Sequence, residues 1–289
     1  MTLSEVSTPK SPIESIRVPI TRVRGERASL EDYVTIEEPL ELRIAYHGRS
    51  DVEPVSISVT MRTPGSDFEL VTGFLFAEGI IKSSDDIHRL SWSDEPSLDK
   101  DLQNVVLVEL ASESNFNTEN LLRNLITSSS CGVCSKSSIA ALQTILPVQK
   151  QSDFEISEEH LTLLPRRMRE IQSQFNKTGG LHACATFDRH GNIDHIAEDV
   201  GRHNAMDKLV GHFLNQHVER LESRGVLLSG RASFELVHKA TMASVPLIAS
   251  IGPPSSMAIE LAETRDITLA GFLSESGFNV YHASGRIRD

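Results

Sequence analysis

The chain has 289 residues, 39% hydrophobic and 24% charged, ordinary globular proportions that exclude a collagen-like, disulfide-scaffold or wholly disordered chain. Against 28 basic residues stand 40 acidic ones, a formal charge of −12, which excludes a general nucleic-acid or anionic-membrane surface because phosphate binding needs a cationic face. At about 100 to 200 residues per domain, the length sets one large domain or two modest ones.

The opening MTLSEVSTPKSPIES lacks a basic end followed by an apolar core and reads as a polar, mobile tail, not a secretory signal. Between Ser15 and Met61 the runs SIRVPITRV, YVTI, LELRIAY and VSISVTM alternate apolar and polar positions between Gly, Pro and Asp turns, so this region is expected to be β-rich. The segment SDFELVTGFLFAEGII predicts a helix, with Phe68, Val71, Leu75 and Phe76 on one face, Ser66 or Asp67 as cap and Gly79 as terminator. A polar stretch, a strand NVVLVEL and a second polar stretch place the end of the first domain near Asn115 to Thr127.

The second half has another rhythm. LHACATFDRHGNIDHIA reads as strand, turn, strand, and a helix is expected from about Asn204 to Val218. After it, GVLLS, VPLIASI and ITLAGFL alternate as strands with SFELVHKATMA and SSMAIELAE as helices. This predicts a largely parallel, buried sheet with right-handed crossovers. Ligands of such sheets sit beyond the strand carboxyl ends, where SGRAS, GPPSS and the residues after GFL would surround one pocket. The longest uncharged stretch, Ala240 to Ile259, contains Pro246, Gly252, Pro253 and Pro254, which excludes it as a membrane helix.

Three cysteines, two of them spaced CxxC at Cys131 and Cys134, do not make a disulfide framework and point to catalysis or metal binding in a reducing compartment. Serines and glycines surround the pair, and the face formed by Ile139, Leu142, Ile145 and Leu146 predicts a helix just after it. A helix amino end and Lys136 would stabilise a thiolate, lowering its pKa from about 8.5 into roughly the 3.5 to 7.5 range. Such a pair fits disulfide exchange, persulfide carriage or metal ligation, ahead of the competing reading as a pair of inert loop cysteines. Zinc needs about four ligands, and Cys131, Cys134, Cys184 and His182 make a conceivable set, although HAC lacks the glutamate of zinc deaminases and Ser130 stands where their proline would be. Within the apolar ACATF, Cys184 reads more simply as a small buried hydrophobe.

A second cluster, AEDVGRHNAMDKLVGHF, crowds Glu198, Asp199, Arg202, His203, Asn204, Asp207 and Lys208 around a glycine at a helix start. With Met206, Leu209, Val210, Phe213 and Leu214 as the buried face, Arg202, His203 and Asn204 fall near the amino end, where a phosphate or pyrophosphate fits. His212 and His217 read as plain helix residues, and ordinary capping with surface ion pairs is the competing account of the cluster. The turns SGRAS and GPPSS offer backbone N–H groups, Ser229 and other hydroxyls, and Arg231 to phosphate oxygens, though tight strand-to-helix turns need such residues anyway. Arg62 in MRTPGSDFEL could also reach a ligand, but the turn and the cap explain most of that segment.

In this order, RTPGSDFELVTGFLFAEGII, SSCGVCSKSS, EDVGRHNAMDK, SGRASFELVHKA, PPSSMAIELA and GFLSESGFNVY resemble the formate dehydrogenase accessory sulfurtransferase family, FdhD, from about residue 15 to Tyr281. The resemblance implies a cytoplasmic sulfur carrier that accepts sulfane sulfur from a cysteine desulfurase. The sulfur passes to the molybdenum or tungsten bis(pterin guanine dinucleotide) cofactor before that client enters formate dehydrogenase, with no permanently bound metal. It also implies a homodimer and an α/β fold: a flexible tail at 1–14, a smaller β-rich α+β domain at 15–125, and a cytidine-deaminase-like α/β/α domain at 126–289 carrying the CxxC loop. Cys131 would hold the persulfide and Cys134 assist. Phe272, Leu273, Ser274, Glu275, Ser276 and Gly277 would contact the cofactor, with Arg202, His203, Asn204, Ser229 and Arg231 as candidate groups for its pyrophosphates. The chain departs from the family pattern at Ser66, where His is common, at Ser274 and Ser276, where a basic residue is common, and at GPP in place of SAP. Two other classes remain as alternatives: a cofactor-binding chaperone without covalent sulfur chemistry, and a zinc-dependent hydrolase.

Overall fold

The computed structural model describes residues 14–46, 53–93, 103–111 and 152–289. Cys131, Cys134, Lys136, the helix expected after them, the tail before residue 14 and the boundary expected near 115–127 lie outside the described residues.

The β-rich start is real. Strands β1 (Ser15–Arg24) and β2 (Glu26–Thr35) pair antiparallel over their whole length as a two-stranded ribbon. Next come β3 (Glu38–Tyr46), β4 (Val55–Arg62), β5 (Ile87–Trp92) and β6 (Val105–Leu110), which form one sheet in the order β4-β3-β6-β5. β5 lies in a stretch that reads as a polar loop, IHRLSW following SSDD. Its pairing with β6 supplies what its own periodicity lacks, and sheet formation depends on such context more than helix formation does.

The first helix, α1 (Asp67–Ala77), spans the predicted segment and is followed by Gly79 at φ 70. Its cap differs from expectation. Ser66 sits at the cap position in a left-handed conformation, φ 50, and its hydroxyl makes no cap bond. The Asp67 carboxylate instead accepts from Gly65 N at 3.1 Å and Arg62 Nε at 2.6 Å. Nor is the helix one-faced: Leu70, Val71, Thr72, Gly73, Leu75, Phe76 and Ala77 are all buried.

Helix α2 (Glu158–Ile171) carries Pro165 inside it, and the short α3 (Ser173–Thr178) follows. Proline interrupts a helical reading because it removes an amide donor. Here Ser157 caps the start by accepting from His160 N, while Leu161, Leu164 and Met168 are buried. Strand β7 (Ile156–Ser157) just before it pairs with β14 (Ile287–Arg288).

The larger sheet has the order β13-β12-β11-β10-β8-β9, built from β8 (His182–Phe187), β9 (Ile193–Asp199), β10 (Gly225–Leu228), β11 (Leu247–Ser250), β12 (Thr268–Ser274) and β13 (Gly277–His282). The expectation of a largely parallel sheet is corrected: β10, β11 and β12 are parallel, but β8, β9 and β13 join antiparallel. Tight hairpins join β8 to β9 and β12 to β13, while β10 comes to lie antiparallel to β8 after the crossover through β9 and the helix that follows it. The turn after β8 is closed by Asp188, whose carboxylate accepts from His190 N and Asn192 N, and such a turn can only return the chain antiparallel. Helices α4 (Arg202–Asn215), α5 (Phe234–Met242) and α6 (Ser256–Thr264) complete the order.

Alternate residues of the inner strands divide between two cores. Cys184, Val226, Leu228, Ile248 and Leu269 join one cluster with residues of α1, α4, α5, α6 and the four-stranded sheet. Ala183, Ala185, Phe187, Leu227, Leu247 and Ala249 join the other with α2. A sheet covered on both faces explains the near-continuous apolar runs of its strands. Two glycines fix the central helix pair: a Cβ on Gly73 would lie 2.0 Å from Asp207 O, and one on Gly211 would lie 1.8 Å from Glu69 O. α1 and α4 therefore touch backbone to backbone.

Candidate functional site

The turn 63–65 and the start of α4 are held together by one buried carboxylate. Asp199, fully buried, accepts from Gly201 N at 2.8 Å, Asn204 Nδ2 at 3.0 Å, Thr63 N at 3.2 Å and the Lys208 ammonium at 2.8 Å. The lysine also donates to Thr63 O at 2.8 Å and Glu198 O at 3.4 Å. Asn204 donates further to Met61 O at 2.8 Å and accepts from Thr60 Oγ1 at 3.3 Å. Its amide is thus turned inward, joining two segments, while its neighbours Arg202 and His203 stay half-buried at the helix start. Arg62 is a strut, as the turn-and-cap reading of its segment expects: it is 2% exposed and bonded to Asp67, Glu38 and Gln103 O.

Beside His203 lies the end of the turn after β10, which meets the turn after β11. Gly252 N donates to Gly230 O, Ser255 N to Ala232 O and Phe272 N to Gly252 O, so the turns after β10 and β11 are laced to each other and to β12. Gly252 is required there, since a Cβ would approach Arg231 N and Gly230 O at 2.9 Å. Ser229 is tied to β8, its hydroxyl accepting from Ala183 N at 2.8 Å. His203 Nε2 lies 3.4 Å from Ser233 Oγ and 3.8 Å from Glu235. The helix starts at Gly201 and Ser233 both lack a side-chain cap bond, leaving amide donors and the positive ends of two helix dipoles at this surface.

Electrostatics point the same way. Burial, and then the Arg202 guanidinium, push the His203 imidazole down to about 4. The same two causes lower His182. Both rings are therefore neutral near pH 7. Arg202 Nε is buried without a hydrogen-bond partner among the described residues, while Arg231 is exposed. Cationic and amide donors beside neutral imidazoles are the groups that bind anions in proteins.

Phe272 stands at the rim, 50% exposed and at φ 54, a backbone conformation that costs a bulky residue about 1–3 kcal/mol and clusters at ligand sites. Ile251 and Met257 are also exposed. Leu273 turns the other way into the second core. Ser274 to Gly277 form the β12–β13 hairpin tip, where the Ser274 hydroxyl meets Ser276 Oγ at 2.9 Å and Gly277 O at 3.0 Å; Glu275 is exposed.

Cys184 is buried, and burial drives its thiol strongly upward, as expected of a small hydrophobe. Sequence reasoning weighed His182 only as a zinc ligand. Its signal was available in the strand alternation, which places it beside Asp199 across β8 and β9, and Gly230 packs against its ring.

Residues 36–288 match the model of the FdhD/NarQ family. A protein of Mycolicibacterium paratuberculosis named sulfur carrier protein FdhD is 40% identical over 91% of this chain and 94% of its own. Its namesake in Streptomyces coelicolor is 41% identical over 93% and 94%, and that of Sulfolobus acidocaldarius 39% over 94% and 98%. The crystal structure of a candidate formate dehydrogenase accessory protein from Desulfotalea psychrophila superposes with a TM-score of 0.70, covering 96% of this chain and all of that one at 23% identity. That likeness concerns the fold.

Proposed function

The chain belongs to the FdhD/NarQ family, and from that premise we propose that it is a cytoplasmic sulfur carrier that serves the maturation of formate dehydrogenase. The Cys131 thiolate attacks the outer sulfur of a cysteine desulfurase persulfide. The desulfurase cysteine leaves as thiolate, and Cys131–S–SH remains. The acceptor is the molybdenum or tungsten bis(pterin guanine dinucleotide) cofactor, handled as a client by a homodimer of this chain. Attack of the Cys134 thiolate on the inner sulfur releases the outer one as sulfide and leaves a Cys131–Cys134 disulfide, which balances the two electrons carried off by the sulfide.

The observation that supports the client half of this reading is the unpartnered Arg202 Nε at one of two uncapped helix starts, together with the exposed, strained Phe272, which is tied through Gly252 to the turn at Gly230. A pyrophosphate-bearing heterocycle complements each part: anion to guanidinium and amides, ring to aromatic face. The test is formate dehydrogenase maturation in cells carrying Cys131→Ala. Loss of activity with the variant protein still folded supports the reading, whereas maturation by Cys131→Ala, together with its loss in Arg202→Ala, moves the function to a binding chaperone.

A further inference from the structure

Strands β1 and β2 form a ribbon that stands apart from the body. Among the described residues, neither strand contributes a side chain to either core. The ribbon is fastened at its base, where Thr35 Oγ1 donates to Thr178 Oγ1 at 2.8 Å, Ile36 N donates to Glu14 O at 3.0 Å, and the Lys177 ammonium lies 4.5 Å from the centre of the Tyr33 ring. At its tip Gly25, φ 79, has nothing within 4 Å of the place a Cβ would take. A two-stranded ribbon by itself is marginal in water and needs a surface to lie against.

The strand register separates two unlike faces, since residues directly opposite each other share a side. One face holds Arg17 opposite Tyr33 and Pro19 opposite Glu31, and Arg17 donates to both Glu31 and Tyr33, so it satisfies its own polar groups. The other holds Ile16 opposite Val34 and Ile20 opposite Leu30, with Val18 between them; Ile16, Leu30 and Val34 are exposed. A second apolar surface lies on the four-stranded sheet. Because Leu40 and Leu42 face the core, the ladder puts Pro39, Val59, Met61, Val105 and Leu107 on the outer side, where Val59 is 63% and Met61 47% exposed.

We propose that the ribbon is an arm whose apolar face lies on the outer face of the four-stranded sheet of a second copy of this chain, each copy clasping the other. The inference deepens the homodimer of the proposed function and rests on it. Area selects this arrangement. Each strand has 10 residues, so at about 3.3 Å per residue and about 4.8 Å between strands the ribbon presents a face of roughly 330 Å². Ribbon stacked on ribbon would bury about 660 Å² over both partners, the scale of a packing contact, whereas two reciprocal arms bury roughly 1,300 Å², inside the range of about 1,200–2,000 Å² for stable specific interfaces. Charge agrees with it: Arg22, Arg24 and Arg27 flank the turn at Gly25 and bring positive charge to a chain of net −12, two copies of which otherwise repel.

The test is sedimentation velocity of the full chain as wild type, as Leu30→Glu, as Val59→Lys and as an equimolar mixture of the two variants. Both positions are exposed, and unchanged urea midpoints establish that the variants fold. Wild type should be a dimer, and each variant alone should dimerise at least about tenfold more weakly, because both contacts then bury an unpaired charge. The mixture should regain the dimer: in one contact the two introduced charges are opposite, and the other contact is unaltered. Variants that dimerise as wild type does, or a mixture that stays monomeric, would overturn the arm and leave the homodimer with another interface. A monomeric wild type would overturn the arm and the homodimer together.

Discussion

Asp199 and Lys208 form an ion pair of 2.8 Å whose side chains are 0% and 4% exposed, and through it the turn at Thr63 is fastened to the second turn of α4. Both residues come from the polar block that reads as candidate ligand chemistry. Their geometry assigns them to the frame instead. A buried charge deprived of its partner is costly, whereas an intact pair is close to neutral against apolar replacement. Lys208→Met should therefore lower stability by about 3–5 kcal/mol in urea unfolding; a loss below about 1 kcal/mol would show that water reaches Asp199.

The glycine contact between α1 and α4 gives a second expectation. Gly211→Ala places a methyl 1.8 Å from Glu69 O, so the helices must move apart. Overpacking of this kind costs typically 1–3 kcal/mol, and the thermal midpoint should fall accordingly. An unchanged midpoint would contradict the close approach.

A third concerns pH. His203 and His195 titrate near 4 in the folded chain against an ordinary 6.5, burial being the main cause for both, with Arg202 next for the first and His212 for the second. A depressed imidazole means that the unfolded chain binds more protons between those values. Their contribution is thus fully present above about 6.5 and is lost as pH falls towards 4. Asp207, raised by burial to about 6, acts oppositely, favouring the fold as pH falls through the same window. Two imidazoles outweigh one carboxyl, so net stability should decline from pH 6.5 to 4, and His203→Gln should flatten that slope in urea midpoints measured across the range.

Fourth, Arg202 and Asn204 should separate by phenotype although they are two residues apart. Arg202→Gln should weaken binding of inorganic pyrophosphate at least tenfold with little change in stability. Asn204→Ala should instead destabilise by about 1–3 kcal/mol, because buried partners at Asp199 and Met61 O lose their donor. Calorimetry and urea unfolding on both variants distinguish the two roles; equal loss of pyrophosphate affinity in both would merge them.

The second half of the fold was legible because its strands are covered on both faces, and GVLLS, VPLIASI and ITLAGFL announce that burial directly. β5 and α2 were not. One draws its order from pairing with β6, and the other carries Pro165, so local pattern understated each. At the site, the meeting of the turns after β10 and β11 followed from topology. The division of the EDVGRHN block into strut and ligand groups did not, because Asp199, Asn204 and Lys208 are assigned by partners more than 130 residues away in sequence at Met61 and Thr63.

The central claim is that Cys131 carries sulfur, and the most direct measurement is the intact mass of wild type and Cys131→Ala after incubation with a cysteine desulfurase, pyridoxal phosphate and cysteine. The account predicts one added sulfur on wild type, removed by thiol reductant and missing from the variant. Wild type that takes up no sulfur, or a variant that takes it up equally, would contradict it.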